Sequence, residues 1–176
     1  MKALVAFGTK YGSTAKVAET IAQELRQKGY QTEVLDLRQD GSGGVDGYDL
    51  VVLGSGIVVG QWSKEAKAFL AAHASNLPKS RVALFACCSD VLFPEKVDNA
   101  RKVYLEKVAE TVPGLKPVAV GLFGGEVDFS KYSMLTKVLL KGVGTKKTLE
   151  ARGVDVSKPY DYRDWDAIRA WARALA

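Results

Sequence analysis

Apolar residues in this chain gather in short unbroken runs, among them Ala3-Leu4-Val5-Ala6-Phe7, Leu50-Val51-Val52-Leu53 and Val82-Ala83-Leu84-Phe85-Ala86. Runs of that length without alternation belong to strands covered on both faces. Between them the spacing changes to a helical one. Val17, Ala18, Ile21, Ala22 and Leu25 share one face, as do Trp165, Ile168, Trp171 and Leu175. The pattern predicts strands over 2–7, 31–37, 49–55, 81–87 and 117–123, and helices over 14–28, 63–76, 95–111, 131–142 and 164–175. Gln31-Thr32-Glu33-Val34-Leu35-Asp36 is more polar than the other strands, as an edge strand should be. Strict alternation of strand and helix gives a parallel sheet with right-handed crossovers and helices on both faces, a doubly wound α/β fold. No repeat or linker interrupts residues 1–176, so one domain is expected; Gly41-Ser42-Gly43-Gly44 reads as a surface loop.

The segment Phe7-Gly8-Thr9-Lys10-Tyr11-Gly12-Ser13-Thr14 joins the first strand to the first helix. Unpaired N–H groups at a helix start, the positive end of the helix dipole and Thr and Ser hydroxyls together make a phosphate holder. The spacing is not that of a Walker A loop, which needs Gly-Lys-Ser/Thr. Nor is it the Gly-x-Gly-x-x-Gly of dinucleotide folds. Thr9, Gly12 and Thr14 instead resemble the flavodoxin phosphate loop, Thr/Ser-x-x-Gly-x-Thr. For five strands with that loop after the first, the flavodoxin-like order 2-1-3-4-5 is the natural choice.

In that order ligands bind beyond the carboxyl ends of strands one, three and four. The candidate binding residues are therefore Thr9, Lys10, Tyr11, Gly12, Ser13 and Thr14 in the first loop. Ser55, Gly56, Ile57, Val58, Gly60, Gln61 and Trp62 follow the third strand, and Cys87, Cys88 and Ser89 the fourth. Glycines at 54, 56 and 60 let backbone approach a flat ring closely. Trp62 either stacks on that ring or packs at the start of the second helix. His73, the single histidine, shares a stripe with Ala66, Phe69 and Leu70 and reads as a packing residue. Ser55 and Ser89 have no histidine and acid placed to make a nucleophile, so no catalytic side chain is assigned. A receiver-domain reading fails, since Gly8-Thr9, Gly54-Ser55 and Gly124-Gly125 stand where it needs acids and a lysine.

Composition narrows the class. With 47% hydrophobic and 26% charged residues, the chain is globular rather than disordered. Its apolar runs are strand-length and its start lacks a secretion signal's apolar stretch, so a cytoplasmic protein is expected. Adjacent Cys87 and Cys88 have neither metal spacing nor a disulfide framework, and no metal is expected. The net charge of +5 suits an anionic substrate or an anionic membrane face, or serves solubility alone; no nucleic-acid partner is expected. Lysines 131, 137, 141, 146 and 147 flank Met134, Leu135, Val138, Leu139 and Leu140, with no acid over 131–147. Such a helix can lie on the inner face of a membrane, or it can cover the sheet.

Taken together these segments resemble a flavodoxin-fold FMN protein over the whole length. Within that group they are most similar to the menaquinone-dependent protoporphyrinogen IX dehydrogenase family. Four stretches carry the likeness: Gly54-Ser55-Gly56-Ile57 with Gly60, Phe69 to His73, Gly121 to Tyr132 after strand five, and Tyr162-Arg163-Asp164-Trp165. The resemblance implies FMN as cofactor, a porphyrinogen-like substrate and a quinone as electron acceptor, with the flavin carrying the chemistry. A flavodoxin-type electron carrier with a redox-protein partner and no small-molecule substrate is the alternative. A nicotinamide-dependent reductase finds no nucleotide motif.

Overall fold

The computed structural model describes residues 1–41, 43–130, 134, 138 and 145–176. Five strands form a parallel sheet: β1 (Lys2–Gly8), β2 (Gln31–Asp36), β3 (Leu50–Gly56), β4 (Arg81–Cys87) and β5 (Ala119–Phe123), in the order β2-β1-β3-β4-β5. β1 pairs with β3 from Ala3↔Leu50 to Gly8↔Ser55, and β3 with β4 from Leu50↔Arg81 to Gly56↔Cys87. The loop from Thr9 to Thr14 therefore begins beside the ends of β3 and β4. The fold expected from the chain's patterning is the fold observed.

Side-chain alternation along β1 divides the core. Ala3, Val5 and Phe7 face α1 (Ser13–Gln27), while Leu4 and Ala6 face α2 (Lys64–Ala72). On the α2 side lies a third helix, α3, built from Val97–Arg101, one π-helical turn at Lys102–Glu106 and a last turn at Lys107–Glu110. The π turn widens a segment whose pattern reads as ordinary α-helix.

After β5 the chain departs from the simple alternation. A two-residue strand, β6 (Glu126–Val127), pairs antiparallel with β7 (Tyr160–Asp161); between them lies α4 (Thr145–Ala151). These three elements are too short to leave a periodic signal. The helix expected over 131–142 lies, apart from Met134 and Val138, outside the described residues, as does Ser42 of the expected glycine loop. The closing helix, α5 (Trp165–Arg173), starts where the Asp164 carboxylate accepts the Ala167 N–H at 2.9 Å. Its Ile168 and Ala172 pack on α1, so the last segment of the chain is held against the helix that opens the phosphate loop.

Candidate functional site

The loop from Thr9 to Thr14 is shaped by its own side chains. Thr9 Oγ1 accepts the Gly12 N–H at 3.0 Å, and Gly12 takes φ +88°, a conformation glycine adopts without strain. α1 begins at the next residue, so its unpaired first-turn N–H groups converge there. The Thr14 hydroxyl is fully buried and makes no hydrogen bond. It lies beside the Cys87 thiol but outside hydrogen-bond geometry. A Cβ on Gly56 would stand 2.8 Å from Thr14 Oγ1, so only glycine lets β3 come this close to the loop.

Two arginines grip the loop from outside. Arg38, just past β2, donates from Nη1 to the Thr9 and Lys10 carbonyls at 3.2 Å each. Arg163, whose side chain is only 1% exposed, donates to the Ser13 carbonyl at 3.0 Å. Its fork also meets both Asp161 oxygens at 2.7 Å and Glu126 at 3.1 Å, and it lies 4.6 Å over the Trp165 ring. Arg163 holds the Asp161 carboxyl below the usual carboxylate range, chiefly through these hydrogen bonds. Gly124 makes the crossing possible: a Cβ there would fall 2.2 Å from the Tyr162 carbonyl oxygen. The short β6–β7 pair thus clamps the phosphate loop to the end of the chain.

Beyond β3 the chain makes a tight hairpin. Val58 and Gln61 exchange backbone hydrogen bonds at 3.0 and 3.2 Å, with Val59 at φ +52° and Gly60 at φ +71°. Positive φ at both central residues is the type I′ pattern. A β-branched residue in that conformation is strained, and Val59 is also 67% exposed at the tip. Ser55 is fully buried; its hydroxyl donates to the Gly56 carbonyl at 3.0 Å and accepts the Ser63 N–H at 2.9 Å. It therefore fixes the strand end rather than facing a ligand. Ile57 N–H donates to the Cys87 carbonyl at 2.8 Å, joining this loop to β4, and Gln61 accepts from Lys67.

Trp62 is 4% exposed within the α2 side of the core, and its indole N–H donates to the Tyr104 carbonyl at 2.7 Å. Of the two expectations for it, packing at the start of α2 is the arrangement present. Tyr104 belongs to the π turn, and its hydroxyl donates to Asp90 at 2.9 Å. A Cβ on Gly60 would lie 3.9 Å from that hydroxyl. One tyrosine thus ties the hairpin, the turn at Ser89–Leu92 and α3 together; burial, then Asp90, raises its pKa. Burial likewise pushes the Cys87 and Cys88 thiols from about 9 up to about 12, so both stay protonated at neutral pH.

The structure gathers Thr9 to Thr14, Gly56 to Gly60 and Cys87 to Ser89 at one end of the sheet, while Ser55 and Trp62 turn inward. His73 caps α2 from below, its ring 4.5 Å from Phe69 and its Nε2 3.0 Å from the Gly43 carbonyl. Four contributors had no sequence-level role: Arg38, Asp90, Tyr104 and Arg163. Of these, Arg163 stood in a stretch already singled out, Tyr162-Arg163-Asp164-Trp165, and Asp90 directly follows the candidate residues Cys87, Cys88 and Ser89. Among the described residues no group of His, Cys, Asp and Glu could hold a metal ion, and no helix is long and apolar enough to cross a membrane.

A family model described as Flavodoxin domain matches residues 4–151. The chain belongs to the flavodoxin domain family. The family brings FMN as cofactor and oxidoreductase chemistry with it. This flavodoxin-family chain is 24% identical over 176 residues to the protoporphyrinogen IX dehydrogenase (quinone) of Escherichia coli strain K12, covering 100% of the chain and 95% of that protein. It is 26% identical to the protein of the same name from Leishmania major, covering 99% of the chain and 74% of the relative. Among solved structures it superposes on a short-chain flavodoxin associated with a PDU bacterial microcompartment with a TM-score of 0.55 at 15% identity, covering 84% and 98% of the two chains. Oxidised flavodoxin 1 of Bacillus cereus gives 0.54 at 23% identity with the same coverage. These two likenesses concern the fold.

Proposed function

We propose that this protein takes electrons from a porphyrinogen and delivers them to a quinone, with FMN seated on the three gathered loops. The observation that carries the cofactor's placement is the Thr14 hydroxyl, buried without a partner at the first turn of α1. An unsatisfied buried hydroxyl costs about 1–3 kcal/mol, which an accepting phosphate oxygen would offset. The chemistry of the loop fits that group, because hydroxyls and a helix start supply donors while Arg38 and Arg163 are engaged with loop carbonyls.

In this reading Thr9, Lys10, Tyr11, Gly12, Ser13 and Thr14 hold the phosphate. Gly56, Ile57, Val58, Gly60 and Gln61 border one side of the ring, and Cys87, Cys88 and Ser89 the other. Ser55 and Trp62 support this border from behind. Bound FMN supplies the acceptance and release of electrons. The protein's own work is to bind, orient and exclude water. Ser55 orients the Gly56 peptide, Tyr104 holds the two ring-side loops at fixed separation, and the protonated thiols place no charge beside the site.

The porphyrinogen and quinone assignments are supported by the full-length likeness to two dehydrogenases of that name. Contact with an anionic membrane face through 131–147 would bring the protein to a lipid quinone. Its support is the lysine-rich sequence and the exposure of Met134 (80%) and Val138 (64%), one helical turn apart. The deciding experiment mixes FMN-loaded protein anaerobically with protoporphyrinogen IX and follows the visible flavin band. Bleaching that recovers on adding a menaquinone analogue is expected. A flavin that stays oxidised with the porphyrinogen, yet is reduced by a strong chemical reductant, would overturn the substrate and favour the electron-carrier reading.

A further inference from the structure

Past the Ser89–Leu92 turn the chain presents a partly exposed aromatic ring with two cations close to it. Lys96 Nζ lies 4.3 Å from the centre of the Phe93 ring, and the Arg152 guanidinium carbon 5.4 Å from it. Arg152 arrives from far along the sequence, one residue past α4, and donates to the Leu92 carbonyl. It is held in place by its helix: Leu149 is 1% exposed, and the Arg152 and Val154 N–H groups both bond the Leu149 carbonyl at 3.0 Å. Two cations at one ring repel each other, and among the described residues no ion pair with a carboxylate relieves them. Glu150 pairs with Lys146, Asp155 with Lys158, and Asp90 accepts from Tyr104. Among the described residues neither Lys96 nor Arg152 has a carboxylate within ion-pair distance.

The cluster is continuous with the ring side of the site. Tyr104 bonds Asp90, Asp90 and Leu92 share one turn, and Leu92 accepts from Arg152, while Gly60 lies near enough to the Tyr104 hydroxyl that a Cβ there would stand 3.9 Å from it. An apolar ring face with two unneutralised cations is suited to a flat or cupped apolar ligand that carries carboxylates. We propose that Phe93, Lys96 and Arg152 form the platform on which the carboxylate-bearing substrate docks beside the flavin site. The proposal rests on the porphyrinogen reading above, and it adds how the site would tell substrate from acceptor. A tetrapyrrole with two propionate side chains satisfies both cations, whereas a quinone head group has no charge to offer them.

The test uses the FMN-loaded protein and two probes, protoporphyrin IX and its dimethyl ester, with binding read from porphyrin fluorescence. The wild-type protein is expected to bind the diacid more tightly than the ester, and to lose that preference as salt is raised. Lys96→Ala and Arg152→Ala should each weaken the diacid about fivefold, as an exposed ion pair does, and together roughly 20-fold. Ester binding and the visible flavin spectrum should not move, and the melting temperature should fall by about 2–4 °C at most, for the Leu92 carbonyl bond lost with Arg152. In turnover the double variant should raise KM for the porphyrinogen and leave kcat and the KM for quinone unchanged. Equal binding of diacid and ester by the wild type, or an unchanged diacid affinity in the double variant, would overturn the platform. Those outcomes stay distinct from failure of the reaction itself, which shows as no flavin bleaching by porphyrinogen in the wild type.

Discussion

At the β1 end of the site seven consecutive residues, Gly8 to Thr14, supply the loop, and the rest of the molecule only steadies it. At the β4 end the work is divided among Gly60, Trp62, Asp90 and Tyr104, which meet through a π turn in α3. The first end is a local backbone device with long-range clamps at its rim. The second is a tertiary assembly in which the hairpin closed by Val58 and Gln61, the turn at Ser89–Leu92 and α3 are held together by side-chain bonds. A phosphate needs a fixed nest of donors, which one turn can make. A flat ring and its substrate need walls at a chosen separation, which takes several elements. The two ends should therefore fail in different ways when single side chains are removed.

The largest effect is expected at the clamp. Arg163→Ala leaves the largely buried Glu126, the Ser13 carbonyl and the more exposed Asp161 without their shared donor. Breaking such a network should cost about 2 kcal/mol of unfolding free energy, below the value for a fully buried pair because Asp161 is partly solvated, measured by denaturant titration. The acid limb should change as well. Because Arg163 lowers the folded-state pKa of Asp161, its contribution is present above the unfolded carboxylate value near 4 and fades as pH falls through the folded one. The variant should lack this part of the acid dependence. If it keeps wild-type stability and FMN affinity, the clamp has no hold on the loop.

Thr14→Val separates the loop's function from its folding. The substitution removes a hydroxyl that has no partner, so the protein without FMN should keep its stability or gain slightly. FMN affinity, read from flavin fluorescence, should fall by roughly 30-fold, the effect of losing a hydrogen bond of about 2 kcal/mol to a charged group. A loss of stability without loss of affinity would mean the hydroxyl serves the fold instead.

This contrast also explains what the sequence could tell. The sheet order and the strand–loop–helix turn over Gly8 to Thr14 were legible because β1, β3 and β4 are unbroken apolar runs and the loop is contiguous. Trp62 was legible only as two options, since choosing between them depends on the Tyr104 carbonyl 42 positions away. Arg38 and Arg163 were invisible as loop clamps, because a donor to a distant backbone carbonyl leaves no local pattern. The π turn was invisible too: its residues keep helical spacing to within one position, and only the backbone hydrogen bonding, one residue longer than an α-helix's, distinguishes it.

At the ring-side end Tyr104→Phe keeps the bond from Trp62 to the backbone and removes only the hydroxyl on Asp90. Stability should fall by about 1 kcal/mol, with faster FMN release and no change at the phosphate loop. Alkaline behaviour sharpens the assignment. Tyr104, Cys87 and Cys88 all have folded-state pKa values raised mainly by burial, the thiols from about 9 to about 12. Their contribution is whole below the unfolded values and lost as pH rises through the folded ones, so the protein should weaken steadily above pH 9. The phenylalanine variant should weaken less steeply above pH 10 than the wild type. An identical alkaline slope would remove Tyr104 from that account.

The smallest effect is expected at the hairpin tip, where Val59 sits at φ +52° with its side chain 67% exposed. A non-glycine residue in this region costs about 1–2 kcal/mol, and a β-branched one has no side-chain hydrogen bond to offset it. Val59→Gly removes that strain but gives the unfolded chain more freedom, so the gain should be at most about 1 kcal/mol. What matters is the direction of the second readout. If the strained valine serves only the turn, the glycine variant should be more stable and hold FMN as before. If the exposed apolar tip faces the bound ring or its substrate, stability should rise while FMN affinity or porphyrinogen KM worsens. A gain in one with a loss in the other would place Val59 among the walls of the ring side, where strain is retained because the position does work that glycine cannot.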